Sequence, residues 1–151
     1  LLKSENPHIL NISPPLDMNP AWFSGHVAYS MAKFGMSLCV LGMAAEFKDD
    51  GVAVNALWPR TAIATAAVKN VLGGEQLINI SRGPEIMADA AYVILTKSSK
   101  EFSGNFCIDD TLLAENGVSD FSIYADVPFD QLAPDFFVPE DMPPPEAAKK
   151  S

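Results

Sequence analysis

Two short apolar runs, His8-Ile-Leu-Asn-Ile-Ser13 and Val52-Ala-Val-Asn-Ala-Leu57, flank one long stretch, Val27 to Lys48, whose apolar residues recur at helical spacing. Each run is bounded by turn formers: Asn6-Pro7 and Pro14-Pro15 around the first, Gly51 and Trp58-Pro59 around the second. Strands joined through a helix rather than a tight turn pair in parallel, and parallel strands are buried on both faces. That accounts for runs with so few polar residues. The helix is apolar almost all round, so it is expected to be covered by the sheet and by a further helix or subunit. Gly35 and Gly42, on one face of it, would let a neighbouring backbone come close. Gly51 suits the left-handed conformation that ends helices.

The pattern continues in the same order. Leu16 to Gly25, with Asp17, Asn19, Pro20 and Gly25, reads as a loop. Thr61 to Val71, rich in Ala and Thr, reads as a mobile helix at most. Pro84 suits a helix first turn, and Ile86, Ala90, Val93 and Ile94 place a helix over Glu85 to Thr96. Phe106 to Asp109 is a last short strand. Strand, helix, strand, helix, strand, each linked by a crossover, predicts an α/β fold, the C-terminal half of a doubly wound parallel sheet. Residues 1–113 are expected to form that half-domain, 114–138 an extension packed on the core, and 139–151 a disordered tail. Six of the twelve prolines fall between Pro128 and Glu146.

The formal charge of −9 is uneven: residues 1–108 hold eight Lys/Arg against nine Asp/Glu, and from Asp109 onward ten acids face only Lys149 and Lys150. An acidic surface without a basic, aromatic-laced patch argues against nucleic acid and against an anionic membrane as partners. Val27 to Phe47 is interrupted by Tyr29, Ser30, Lys33, Ser37 and Glu46, so no membrane span is expected. Cys39 and Cys107 have neither zinc nor disulfide-scaffold spacing and are read as buried small hydrophobes of a reducing compartment. His8 and His26 lack ligand partners, and no metal is expected. Leu1-Leu2-Lys3-Ser4 reads as the end of a helix already under way, which suggests a start inside a domain, and no targeting signal is visible.

Tyr29-Ser-Met-Ala-Lys33 carries the chemistry. Residues four apart on a helix share a face, so a phenol and an ammonium converge on one site. An ammonium nearby favours the phenolate, which readies the phenol for proton exchange with a carbonyl or alcohol oxygen. Alone, the spacing fits equally a half-buried Tyr and a snorkelling Lys. It is accompanied, in fixed order, by the strand Ile-Leu-Asn-Ile-Ser13, the strand Val-Asn-Ala-Leu-Trp-Pro59, then Ile63-Ala-Thr65, and Phe102-Ser-Gly-Asn-Phe-Cys-Ile-Asp109.

Over roughly residues 1–112 this set resembles the short-chain dehydrogenase/reductase family, with its Rossmann-like domain. The resemblance implies that Tyr29 donates or accepts the proton at the substrate oxygen, and that Lys33 binds the nicotinamide ribose and assists Tyr29. It implies that Pro59, Ile63 and Thr65 contact the nicotinamide end of the cofactor, NADP or NAD. Two departures stand out: Arg60 lies where Gly is common, and Asp109-Asp110 replaces a small, Gly-rich turn. A third is Pro14, which fills the position of the family's substrate-orienting Ser. Ser13, one residue earlier, is either that catalytic group or an ordinary strand-end hydroxyl. Trp22 and Phe23, before the helix, line a substrate pocket or belong to the core.

The fragments His8-Ile-Leu-Asn-Ile-Ser-Pro-Pro15, Leu41-Gly-Met43 and Ala56-Leu-Trp-Pro-Arg-Thr-Ala-Ile63 point to one subgroup of that family. The subgroup implies a small carbonyl or alcohol substrate of lipid-like character and a peroxisomal or mitochondrial address. The family's Gly-rich pyrophosphate cradle is not found, since Gly73-Gly74 follows no strand. Two readings follow. In one, the chain is a fragment of an NAD(P)-dependent oxidoreductase, inactive by itself. In the other, it is a non-catalytic truncated member in which the helix 27–48 serves as a homo-oligomerisation surface.

Overall fold

The computed structural model describes residues 1–72 and 74–150, without the side chains of residues 71 and 72; Gly73 and Ser151 lie outside the described residues. The regular elements are β1 (His8–Ile12), α1 (Val27–Glu46), β2 (Ala53–Trp58), α2 (Gly74–Ile78), α3 (Glu85–Thr96), β3 (Phe106–Ile108), α4 (Asp109–Glu115) and α5 (Glu146–Lys149). The chain divides into two compact units. The first comprises Leu1–Trp58, Ala91–Cys107 and Phe137–Pro139, and the second Pro59–Ala90, Ile108–Phe136 and Glu140–Ser151.

The first unit is built on the sheet, in the order β1-β2-β3. β1 and β2 are parallel, with His8 opposite Ala53 and Ile12 opposite Leu57. The α/β architecture with a parallel pair is therefore as expected. Every residue of β2 is buried, as befits a central strand with both faces covered. Asn55 is polar and fully buried there, yet it is satisfied: its Nδ2 donates to the Phe102 carbonyl at 2.9 Å and its Oδ1 accepts from the Asn105 backbone at 3.0 Å. Its spacing therefore belongs to the sheet, where it ties the approach to β3 onto β2.

α1 packs on β1 and β2 through Val40 against Val54 and Ala56, with Ile9, Met43, Ala44 and Phe47 around them. Its buried residues are Ser30, Phe34, Ser37 and Val40. Ser30 donates to the Trp22 carbonyl and Ser37 to that of Pro14, at 2.7 Å in the latter case. These hydroxyls face protein rather than water, so the helix is anchored by polar contacts as well as apolar ones. By length and composition alone α1 is apolar enough to cross a membrane. The expectation that its polar residues break such a run is thus not met on composition; α1 packs on the sheet along one side, with Ser30, Phe34, Ser37 and Val40 its buried residues.

The opposite face of α1 is bare. Val27, Met31, Leu38 and Leu41 are all more than half exposed. A Cβ added at Gly35 or Gly42 would meet nothing within 4 Å. Cys39 lies on this exposed side and Cys107 is half-buried, so neither is the buried hydrophobe expected. The reason is the same for helix and cysteine: an all-round apolar pattern says that a face is to be covered, and this chain leaves one uncovered.

The second unit departs further from expectation. Of the stretch Thr61–Val71, read as a helix at most, only the second half is helical: Thr61 forms a bridge with Pro134 and Ile63 one with Arg82, and residues 66–72 then form a short helix that is π-type over Val68–Leu72. The acidic segment is ordered in place: residues 140–150 include α5, whose Ala148 is fully buried, and the Met142 carbonyl accepts from Arg60 Nη1 at 2.7 Å. The composition that suggests disorder is outweighed by this pairing, which no local pattern announces.

Candidate active site

Tyr29 and Lys33 sit one turn apart in the first half of α1. Lys33 reaches the carboxyl ends of the parallel strands: its Nζ donates to the carbonyl of Ile12, the last residue of β1, at 3.3 Å. The same ammonium lies 5.0 Å above the centre of the Trp58 ring, at the end of β2. A cation held by one carbonyl and one aromatic face keeps further N–H donors for a ligand. Tyr29 is 49% exposed, so its ring is neither sealed in the interior nor detached from it. Ligands of open parallel sheets bind outside the carboxyl ends of the strands, and that is where this pair lies.

An aromatic group surrounds the pair. Phe137 is fully buried and meets Tyr29, Trp22, Phe34 and Trp58 at centroid distances of 5.7, 5.8, 5.0 and 6.1 Å. Phe23 stacks on Phe34 at 5.2 Å. Trp22 is fixed from its polar end too, its indole N–H donating to Asp17 Oδ2 at 2.6 Å. Trp22 and Phe23 therefore belong to one cluster that is core on one side and borders Tyr29 on the other. Phe137 falls within the extension expected to pack on the core, but nothing near it in sequence carries a motif; only the three-dimensional cluster brings it to Tyr29.

Ser13 follows β1 directly. It is fully buried, and its hydroxyl has no hydrogen-bond partner among the described residues. Asn11, beside it, donates through Nδ2 to the Met36 carbonyl at 3.3 Å, tying β1 to α1. Tyr29, Lys33 and Ser13 thus all belong to the first unit.

Pro59, Ile63 and Thr65 belong to the second unit. Pro59 follows β2 directly in the chain and is buried, as is Ile63, whereas Thr65 is exposed and its Oγ1 accepts from the Val68 backbone at 3.3 Å. Within the same unit the two departures from the family pattern meet each other. Arg60 Nε donates to both oxygens of Asp110, at 2.7 and 2.8 Å, and Arg82 Nη1 donates to Asp110 Oδ2 at 3.1 Å. Asp109 Oδ1 accepts from the backbone N–H of Arg60 at 3.0 Å and of Asp110 at 2.7 Å. All four side chains are buried. Burial pushes the Asp109 carboxyl up to about 7, the Asp110 carboxylate adds to the rise, and the backbone N–H of Arg60 and the Arg82 guanidinium offset part of it. The cluster is a structural hub held by these pairings, though not every group is used: among the described residues Asp109 Oδ2 and Arg82 Nε and Nη2 are buried without a hydrogen-bond partner. Nearby, burial and the hydrogen bond from Tyr124 to Asp89, 2.7 Å long, push that phenol up to about 12.

The comparisons with known proteins agree with the fold. No family model matches the chain. Hydroxysteroid dehydrogenase-like protein 2 of Danio rerio is 56% identical over 145 residues, which is 94% of this chain and 34% of that protein. A solved protein described as a dehydrogenase, from Xanthomonas campestris, is 51% identical with a TM-score of 0.84, covering 92% of this chain and 50% of that one. A short chain dehydrogenase from Mycobacterium thermoresistibile is 48% identical with a TM-score of 0.81, covering 94% of this chain and 50% of that one. The chain spans about a third of the length of the curated relative and half of each solved one. The resemblance to short-chain dehydrogenases holds, as does the subgroup to which the fragments around His8, Leu41 and Ala56 point.

Proposed function

We propose that this chain, alike in sequence and fold to the short-chain dehydrogenases, supplies the proton-transfer site of an NAD(P)-dependent oxidoreductase acting on a carbonyl or secondary alcohol. The observation that carries the reading is the placement of Lys33: its ammonium sits at the carboxyl ends of two parallel strands, one helical turn from a half-exposed Tyr29. Because the chain covers half of its solved relatives, the proposal is made for the protein that carries it.

The residues present fit the nicotinamide end of such a coenzyme. Lys33 has N–H donors beyond the one given to Ile12, which suit ribose hydroxyls. Pro59, buried after β2, and the segment Ile63–Thr65 are the residues proposed to hold the nicotinamide itself. When bound, the coenzyme supplies or takes up the hydride. Tyr29 gives its phenolic proton to the carbonyl oxygen in reduction and takes it back in oxidation. Lys33 fixes the ribose and, by its charge, favours the phenolate. Ser13 is the third member, on a narrower ground: an orphaned hydroxyl at a strand's carboxyl end is satisfied by a substrate oxygen. The apolar rings beside Tyr29 favour a lipid-like carbonyl over a sugar or an amino acid. The peroxisomal or mitochondrial address implied by the subgroup joins the proposal, to be checked by imaging the tagged protein.

The test is a steady-state assay of the intact protein on a panel of fatty-acyl, steroid and short-chain carbonyls with NADH and with NADPH. Lys33→Ala is expected to lower both turnover and coenzyme affinity, and Ser13→Ala to lower kcat/KM about tenfold. Unchanged coenzyme affinity in Lys33→Ala removes that residue from the ribose site.

The bare face of α1 favours a second reading of the same helix. Val27, Met31, Leu38 and Leu41, with Gly35 and Gly42 open between them, form a surface suited to a second copy of the protein. This is the basis of the non-catalytic alternative, in which association is the helix's main role. Sedimentation of the Leu38→Glu variant distinguishes the two: a monomer with full activity assigns the face no catalytic part, whereas an unchanged oligomer removes it from the interface.

A further inference from the structure

Phe137 has φ +67°, making it the non-glycine residue with positive φ among the described residues. A bulky side chain in the left-handed region costs on the order of 1 kcal/mol or more and persists only where its surroundings over-determine it. Here the surroundings are rings from the loop before α1, from α1 and from the end of β2: Trp22, Phe34, Tyr29 and Trp58. Three of these contacts are tilted or edge-on, with interplanar angles of 63°, 61° and 54°. Such contacts fill space. The contact with Tyr29 differs: the two planes lie 19° apart in a stack, at 5.7 Å.

A tyrosine half open to solvent in the first turns of a helix ordinarily has freedom at both side-chain torsions. Proton transfer needs the opposite, because a misplacement of about 1 Å can cost on the order of a hundredfold in rate. The stack costs Phe137 a strained backbone, and the cluster holds that strain in place.

We propose that Phe137 is a positioning residue for Tyr29: it clamps one face of the phenol so that the hydroxyl is held toward the reacting oxygen, beside Lys33. This rests on the reading of Tyr29 as the proton-transfer group. Phe137 itself touches no reacting atom. Its effect falls on turnover, through the ring it orients, and leaves coenzyme binding to Lys33.

The experiment compares Phe137→Leu with Tyr29→Phe and Val40→Ala in the intact protein. Leucine keeps an apolar side chain of similar bulk and removes the ring. Tyrosine-selective NMR labelling, with the Tyr29 signals assigned by their loss in Tyr29→Phe, reports the stack directly. Phe137→Leu is expected to move the Tyr29 ring signals downfield, to lower kcat about tenfold, and to leave coenzyme affinity unchanged. Val40→Ala loses packing elsewhere on α1 and is expected to keep its kcat, so it controls for lost stability. Unmoved Tyr29 signals, unchanged kcat, or an equal fall of kcat in Val40→Ala would each overturn the proposal. If Phe137→Leu does not fold, cross-relaxation between the Tyr29 and Phe137 rings in the wild-type protein decides it: its presence supports the clamp and its absence overturns it. A Tyr29→Phe protein that still turns over defeats the underlying reading, whereas an inactive Tyr29→Phe beside a fully active Phe137→Leu defeats the clamp alone.

Discussion

The two units of this chain are held by different physics. The first is a small parallel sheet under α1, with Val40, Val54 and Ala56 buried together and the polar residues Asn55, Ser30 and Ser37 each spent on a backbone partner, Ser13 being an exception. The second has only short helices, and at its centre lies a buried knot of Arg60, Arg82, Asp109 and Asp110. A core of apolar side chains tolerates small losses one at a time. A core of paired charges does not, because removing one partner strands another in a medium that solvates it poorly.

That contrast can be broken at its strongest point first. Asp110→Ala leaves two buried guanidinium groups without their shared carboxylate and is expected to cost about 3–5 kcal/mol in urea unfolding; a loss below about 1 kcal/mol would mean that water already reaches the knot. Val40→Ala, the matching change in the first unit, removes two methyl groups from a packed site and is expected to cost about 2 kcal/mol. A subtler change sharpens the comparison through pH. Asp109 has a folded value of about 7 against 3.8 for the free side chain. Below the lower value the carboxyl is neutral in both states. As pH rises toward the upper one, the unfolded chain has released its proton and the native protein has not, so the stability contributed by Asp109 is lost. Asp109→Asn keeps an acceptor for the two backbone N–H groups and is expected to flatten that decline, read as urea midpoints at pH 5 and pH 8. A wild-type midpoint that rises across this window through the same residue would reverse the assignment. Last, Lys69 pairs with Glu75 at 2.5 Å while both stay mostly exposed. Screening by water makes such a pair weak, and Lys69→Ala is expected to leave the midpoint unchanged.

The same contrast explains what could be read in advance. β1, α1, β2 and α3 announce themselves because burial imposes a period on sequence, and the bounds found for them lie within a residue or two of those the pattern gives. Tyr29 and Lys33 are legible for a similar reason, since four residues make one helical turn. The second unit is illegible because its organising contacts are non-local. Arg60 pairs with Asp110 across a long stretch of chain, and neither residue is unusual in its own surroundings. Arg60 in place of a glycine and Asp109-Asp110 in place of a small turn look like separate oddities in sequence, and only the fold shows that the first is the partner of the second. The acidic segment misleads in the same way, because composition cannot register that Met142 caps Arg60 or that Ala148 is buried. Phe137 is legible only in part: it lies in the extension expected to pack on the core, but no motif announces that its ring belongs to the first unit beside Tyr29.

The central claim is that the Tyr29 hydroxyl carries the proton at the substrate oxygen, and the direct measurement is single-turnover reduction of a carbonyl by the intact Tyr29→Phe protein with bound reduced nicotinamide. The account predicts that coenzyme binds as tightly as in the wild type while the rate of reduction falls at least a hundredfold. Reduction at the wild-type rate would contradict it.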